Sequence, residues 1–236
     1  AEIKTRRRKL TVFFSDIKNF TSTSENMQPE DLTKYLNEYF SEMTIIAVNH
    51  GATIDKYIGD SMMVFFGDPD TKGEKEDARA CLEMALKMQD RMEELRQKWA
   101  QEGFAEPFEI RIGINTGYCN VGNFGSDQRL TYTIIGSEVN VAQRLEASAQ
   151  SGGILMSYET YAHAQDLIEV EQLESISMKG VNREIKVFSV LNKIVKRNSI
   201  KKDKVKMNII KSVPERIEDR LNRLEENVQL LINRFK

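Results

Sequence analysis

The chain has 236 residues, 34 Lys+Arg against 36 Asp+Glu, a formal net charge of −2, 40% hydrophobic residues and 30% charged residues. No run approaches the ~20 apolar residues of a membrane span, and the basic start lacks the apolar core of a secretory signal. Two cysteines (Cys81 and Cys119) and two histidines (His50 and His163) exclude a disulfide framework, a four-ligand zinc site and a His-rich metal centre, and they fit the reducing cytoplasm.

Residues 1–9 hold five bases and one acid, a charge of +4, and read as a basic linker. Leu10–Ser15 is β-branched and aromatic, the composition of a buried strand. Residues 29–49 predict a helix. Pro29 suits its first turn, Glu30 and Asp31 follow, and Leu32, Tyr35, Leu36, Tyr39, Phe40 and Met43 recur at helical spacing. Thr53–Ile58 and Ser61–Phe66 flank Gly59-Asp60 as a hairpin. Residues 74–101 predict a long amphipathic helix through Cys81, Leu82, Ala85, Met88, Met92 and Leu95. Glu109–Thr116 and Tyr118–Gly122 read as an antiparallel pair, followed by a strand at Thr131–Ile135 and a helix over 138–149 capped by Ser137. Ile154–Ser157, Ile168–Leu173 and Ile185–Leu191 are shorter strands, with a small helix near 158–166. All 13 glycines lie between Gly51 and Gly180, so turns concentrate in the middle of the chain.

This order predicts an α+β fold. Its centre is a ferredoxin-like βαββαβ core with a mostly antiparallel sheet, added strands, and helices on one face. Residues 193–213 are a basic connector, with eight bases against Asp203 alone. From Pro214 onward Ile217, Leu221, Leu224, Val228, Leu231 and Phe235 are spaced 4, 3, 4, 3, 4, which predicts a C-terminal coiled-coil helix over 214–236. About three heptads are marginal alone. The helix either self-associates or docks as a lone amphipathic helix on its own domain.

With the flanks set aside, residues 10–192 carry −13. A nucleic-acid binder would put its positive charge on the folded body, so no nucleic-acid partner is expected. The basic flanks read as solvated linkers, with a lipid or acidic partner as the alternative, and direct membrane contact is not predicted.

Asp16 ends the first strand and Asp60 sits at the hairpin tip. If the hairpin lies beside that strand, both carboxylates meet at one sheet edge, where they suit one or two Mg²⁺ ions. Otherwise each is an Asp favoured by its own turn. The segment Ile17–Thr21 leads toward a helix, and backbone N–H groups at such a turn can hold phosphate. No G-x-x-x-x-G-K-[ST] occurs, and Gly122-Asn-Phe-Gly125 is too short for a dinucleotide fingerprint. Asn140 and Arg144 share a helix face, as a sugar-fixing and phosphoryl-neutralising pair or as a solvated surface.

Four segments stand in order: Val12-Phe-Phe-Ser-Asp-Ile-Lys-Asn-Phe-Thr21, Asp55-Lys-Tyr-Ile-Gly-Asp-Ser-Met-Met-Val64, Arg111-Ile-Gly-Ile-Asn-Thr-Gly117 and Thr133-Ile-Ile-Gly-Ser-Glu-Val-Asn-Val-Ala-Gln-Arg144. Together they resemble the catalytic domain of a class III adenylate/guanylate cyclase, over residues 10–192. The resemblance implies conversion of ATP to 3′,5′-cyclic AMP and pyrophosphate in intracellular signalling. The ribose 3′-hydroxyl attacks the α-phosphorus in line, with two Mg²⁺ or Mn²⁺ ions per active site. It implies that Asp16, Asp60 and the Ile17 carbonyl hold the metals, and that Phe20 and Thr21 lie in the loop holding the β- and γ-phosphates. Lys56 and Thr133 would read the purine, Asn140 would orient the ribose, and Arg144 would stabilise the transition state. Lys179 and Arg111 would contact phosphate.

Lys at position 56 favours adenine, whereas Thr133 can either accept or donate and so discriminates less sharply. Thr133 places the chain near a Thr-type subgroup with bicarbonate-responsive members. Family members act as head-to-tail dimers, so a homodimer with shared active sites is implied, and an upstream sensor domain is compatible with the pattern. A guanylate or mixed-purine cyclase and a non-catalytic dimerisation scaffold are the alternatives.

Overall fold

In a computed structural model, the described residues are 5–126, 128–178 and 181–193. The chain runs β1 (Thr5–Ile17), α1 (Phe20–Glu25), α2 (Pro29–Asn49), β2 (Thr53–Ile58), β3 (Ser61–Phe66), α3 (Glu74–Gln101), β4 (Ile110–Ser126), β5 (Arg129–Ile135), α4 (Ser137–Ser148), β6 (Ile154–Ser157), α5 (Tyr158–Ala164), β7 (Ile168–Gln172), β8 (Ile176–Met178), β9 (Val181–Ile185) and β10 (Val187–Lys193). The main sheet has the order β2-β3-β1-β4-β6-β10-β7, with β5 paired to β4. Among the described residues only β4 and β6 pair in parallel. The order β2-β3-β1-β4 is that of a ferredoxin-like core, and β6, β7 and β10 extend it past β4. The coiled-coil helix expected over 214–236 lies outside the described residues.

Strands β1, β3 and β4 alternate strictly between two cores. Phe13 and Ile17 of β1 join Met62, Val64, Ile112 and Ile114 in a core covered by α2 and α3. Leu10, Val12 and Phe14 join Met63, Phe65, Cys119 and Val121 on the other side, where Ala142 of α4 packs. Helices therefore cover both faces. The expectation of one helical face fails because α4 carries its own apolar stripe: Val141, Leu145 and Ala149 meet Leu155, Ile185 and Val187.

Three further readings are corrected. Glu109–Thr116 and Tyr118–Gly122 are one strand, β4, because Gly117 continues the ladder opposite Leu10 instead of turning. Ser137 is the first residue of α4 and caps nothing; Gly136 precedes it, and no side chain caps this helix. Thr5–Lys9, expected in a linker, extend β1 and pair with Tyr118–Gly122. Their charges have internal partners. Arg6 and Arg8 reach the buried Asp68 at 2.7 and 3.1 Å, Lys9 reaches Glu74 at 3.0 Å, and the Arg7 guanidinium lies 4.5 Å from the Tyr118 ring centroid. Tyr132 of β5 also donates to Asp68. Burial alone would raise the Asp68 pKa, but the bond from Arg6, with Tyr132 and Arg8, holds it below the usual carboxylate range.

On β4 the residues facing α4 are Arg111, Gly113, Asn115 and Gly117. They pair with Asp16, Phe14, Val12 and Leu10 of β1. Asn115 donates to the Glu138 carbonyl at 2.9 Å and to its carboxylate at 2.8 Å, pinning the first turn of α4. A Cβ on Gly113 would stand 2.1 Å from the Glu146 nitrogen and 2.3 Å from the Ala142 oxygen, so the helix backbone rests directly on the strand. Gly113→Ala must displace that backbone. We expect a fall in thermal midpoint of about 5–10 °C, the upper range for overpacking. Gly117→Ala meets only the Glu138 side chain and should lose less; an equal or larger loss for Gly117→Ala in thermal unfolding would contradict this account.

Candidate active site

The antiparallel register of β1 and β3 brings the end of one beside the start of the other, with Ser15 opposite Met62. Asp16 and Asp60 are thereby joined by reciprocal bonds. The Ile17 N–H donates to Asp60 Oδ2 at 3.1 Å, and the Ser61 hydroxyl donates to Asp16 Oδ2 at 2.7 Å. Gly59, at φ 63, makes the tight turn that presents Asp60. Both aspartates are part-buried at the edge of the sheet. The Asp60 pKa is raised, first by burial and then by the neighbouring Asp16 carboxylate.

Arg111 stands opposite Asp16 on β4. Its Nη2 lies 3.4 Å from Asp16 Oδ1, its Nε faces Glu146 Oε1 at 2.6 Å, and its Nη1 donates to the Ala147 carbonyl at 3.2 Å. Glu146 is 4% exposed. Burial and the nearby Asp16 charge push its pKa up to about 7 against the pull of Arg111. Sequence reasoning missed Glu146, although the spacing Ala142, Glu146, Ala149 places an acid on the apolar stripe of α4. The cluster thus has three carboxylates and one guanidinium.

A second cluster forms between β2 and β5. The Asp55 side chain is fully buried, with Lys56 Nζ 3.1 Å from its Oδ1. Thr133 Oγ1 donates to Asp55 Oδ2 at 2.7 Å, and the Ile134 N–H donates to the same oxygen at 3.2 Å. Lys56 and Thr133, expected from the sequence, are brought together; Asp55 between them was not foreseen as a functional residue.

The other expected residues lie apart. Asn140 and Arg144 are exposed on the outer face of α4, and neither makes a side-chain hydrogen bond or ion pair among the described residues. Phe20 and Thr21 open α1 behind Asn19, which has a left-handed φ of 58. Phe20 packs on Phe108 at 6.1 Å between ring centroids, and Thr21 is exposed. Lys179 lies outside the described residues.

Among the described residues no three His, Cys, Asp or Glu side chains form a metal-holding group. The Asp16–Asp60 pair is a two-carboxylate donor set. It fits a hard cation that keeps water and phosphate oxygens as its remaining ligands, and such a cation would relieve the repulsion that raises Asp60. No helix among the described residues is long and apolar enough to cross a membrane.

Residues 3–192 match the model of the adenylate and guanylate cyclase catalytic domain family. The crystal structure of the adenylyl cyclase CyaB from P. aeruginosa superposes with a TM-score of 0.78 at 51% identity, covering 80% of this chain and 97% of that one. The guanylyl cyclase Cya2 gives a TM-score of 0.75 at 36% identity, over 82% and 96% of the two chains. Adenylate cyclase 1 of Rhizobium meliloti is 33% identical over 78% of this chain. The chain spans 28% of that protein's length.

The pKa values of Glu146 and Asp60 are both raised on folding, so the native chain binds more protons than the unfolded one above their ordinary values of 4.5 and 3.8. Stability contributed by Glu146 is present below pH 4.5 and falls as pH rises to about 7. Glu146→Gln should flatten this slope. Urea unfolding in chelator between pH 4.5 and 8 checks it, and an unchanged slope in the variant would remove Glu146 as the cause.

Proposed function

Because the chain belongs to the adenylate and guanylate cyclase catalytic domain family, we propose that it is an adenylate cyclase, forming 3′,5′-cyclic AMP and pyrophosphate from ATP. The observation that carries this reading is the braced Asp16–Asp60 pair at one sheet edge. The 51% identity with an adenylyl cyclase of known structure supports ATP as substrate.

Cyclase domains of this family are generally metal-dependent. Asp16, Asp60 and the Ile17 carbonyl would hold two Mg²⁺ or Mn²⁺ ions. When bound, these lower the pKa of the ribose 3′-hydroxyl and neutralise the leaving phosphates. The remaining roles belong to the chain's own side chains and amides. Arg144 faces the charge that develops on the transferring phosphoryl group. Asn140 orients the ribose, the amides at Phe20 and Thr21 hold the β- and γ-phosphates, and Arg111 and Lys179 add positive charge toward phosphate. Lys56 and Thr133 read the purine.

Asn140 and Arg144 stand on the outer face of α4, while Asp16 and Asp60 lie at the end of β1. A head-to-tail homodimer would let one subunit supply Asp16 and Asp60 and the other supply Lys56, Thr133, Asn140, Arg144 and Lys179. The exposure of Asn140 and Arg144, and their lack of partners among the described residues, support this arrangement. The same dimer would act in intracellular signalling, and an upstream sensor domain is compatible with it. The 36% identity with a guanylyl cyclase makes GTP the substrate to test beside ATP.

Purified protein offered ATP or GTP with Mg²⁺ or Mn²⁺ is expected to make cyclic AMP, and to lose turnover on chelation or in Asp16→Ala. Arg144→Ala should lower the rate about 10²–10³-fold. Mixing Asp60→Ala with Arg144→Ala should restore activity through one intact site per mixed dimer. Cyclic GMP as the main product would make the chain a guanylate cyclase. A verified dimer that converts neither nucleotide would make it a scaffold.

A further inference from the structure

β2 and β3 pair out of step at one point. Ile54 stands opposite Val64 and Lys56 opposite Met63, so Asp55 is an extra residue with no partner, a β-bulge. Val64 faces the α2 and α3 side and Met63 faces the side covered by α4. In a regular strand Lys56 would share the face of Ile54. The bulge instead turns Lys56 toward the α4 side, where Asp55 meets β5. Beyond it, Tyr57 returns to the α2 side, its ring centroid 4.6 Å from that of Phe40 and tilted by 59°.

The bonds to Asp55 fix the direction of a proton. An ionised carboxylate only accepts, so at 2.7 Å the Thr133 hydroxyl must be the donor. A Thr hydroxyl has one hydrogen, and Asp55 takes it. What Thr133 can still offer to another molecule is two lone pairs. Lys56 keeps the complementary capacity. Its ammonium sits 3.1 Å from Asp55 Oδ1, yet that oxygen accepts no aligned hydrogen bond, so the N–H donors remain available.

We propose that Asp55 is a positioning residue that sets purine choice through Thr133, by making its hydroxyl an obligate acceptor beside the Lys56 donor. This rests on the reading of Lys56 and Thr133 as the purine-facing pair. Adenine presents an amino donor at C6 beside the N1 acceptor. Guanine presents an oxygen acceptor at C6 beside an N1–H donor. An acceptor at Thr133 and a donor at Lys56 match adenine and oppose guanine twice. Without Asp55 the Thr133 hydroxyl can rotate and donate to the guanine oxygen, so the discrimination is lost through Thr133 itself.

The test is the ratio of kcat/KM for ATP to that for GTP. Asp55→Ala should lower this ratio about tenfold or more, the size of one good base-discriminating contact. Asp55→Asn, whose carbonyl can still accept from Thr133 and Ile134, should retain most of it. Thr133→Val should lower the ratio by itself, and adding Asp55→Ala to it should change the ratio no further. If Asp55→Ala does not fold, Asp55→Ser takes its place with the same expectation, because a serine leaves Thr133 free to donate. A ratio that falls in Thr133→Val but stays constant in the Asp55 variants overturns the proposal and leaves the purine reading standing. So does a further fall when the two changes are combined, since Asp55 would then act by another route. If neither Thr133→Val nor Lys56→Ala moves the ratio, the purine reading itself fails.

Discussion

The backbone of α4 rests on the backbone of β4 at Gly113, where there is no room for a methyl group. Much of the sheet edge depends on that contact. It brings Glu146 within 2.6 Å of Arg111, and Arg111 in turn stands against Asp16 across the β1–β4 ladder. It also settles which face of α4 is outward. With Ala142, Leu145 and Glu146 against the sheet, Asn140 and Arg144 have nowhere to project but away from it. One glycine therefore determines where charge is buried and where it is presented.

The edge is electrostatically unbalanced. Asp16, Asp60 and Glu146 converge around Arg111, and both Asp60 and Glu146 are held above their ordinary pKa values by burial and by Asp16. Such an arrangement is unfavourable in isolation. Three carboxylates against one guanidinium leave an excess of negative charge that attracts a cation. The basic residues at the start of β1 are committed elsewhere, to Asp68, Glu74 and Tyr118. These partners lie within the same chain, while Arg6 and Arg7 stay exposed to solvent.

Period and turn chemistry made most of the fold legible. The apolar alternation of β1, the helical stripes of α2 and α3, and Gly59-Asp60 between two strands each pointed to the element found. The alternation along β4 misled at Gly117, because a glycine within a strand looks like a turn until its neighbour across the sheet is known. The small β8–β9 sheet was not legible, since its segments are too short to show a period. At the site, the Asp16–Asp60 pairing followed from placing a hairpin beside a strand. Glu146 and Asp55 escaped for different reasons. The first needed the packing of α4 on β4, and the second needed a register irregularity that no local pattern announces.

The bulge at Asp55 has a wider consequence. A β-strand is a binary device in which odd and even positions belong to opposite faces. An extra residue inverts that assignment for everything after it until the next turn. Lys56 reaches β5's side of the sheet because of a count, not because of its own chemistry or that of its neighbours. Position in this strand is therefore encoded in its length. A change of identity at Lys56 alters one side chain, whereas a change of one residue in number exchanges the inside and outside of the hairpin.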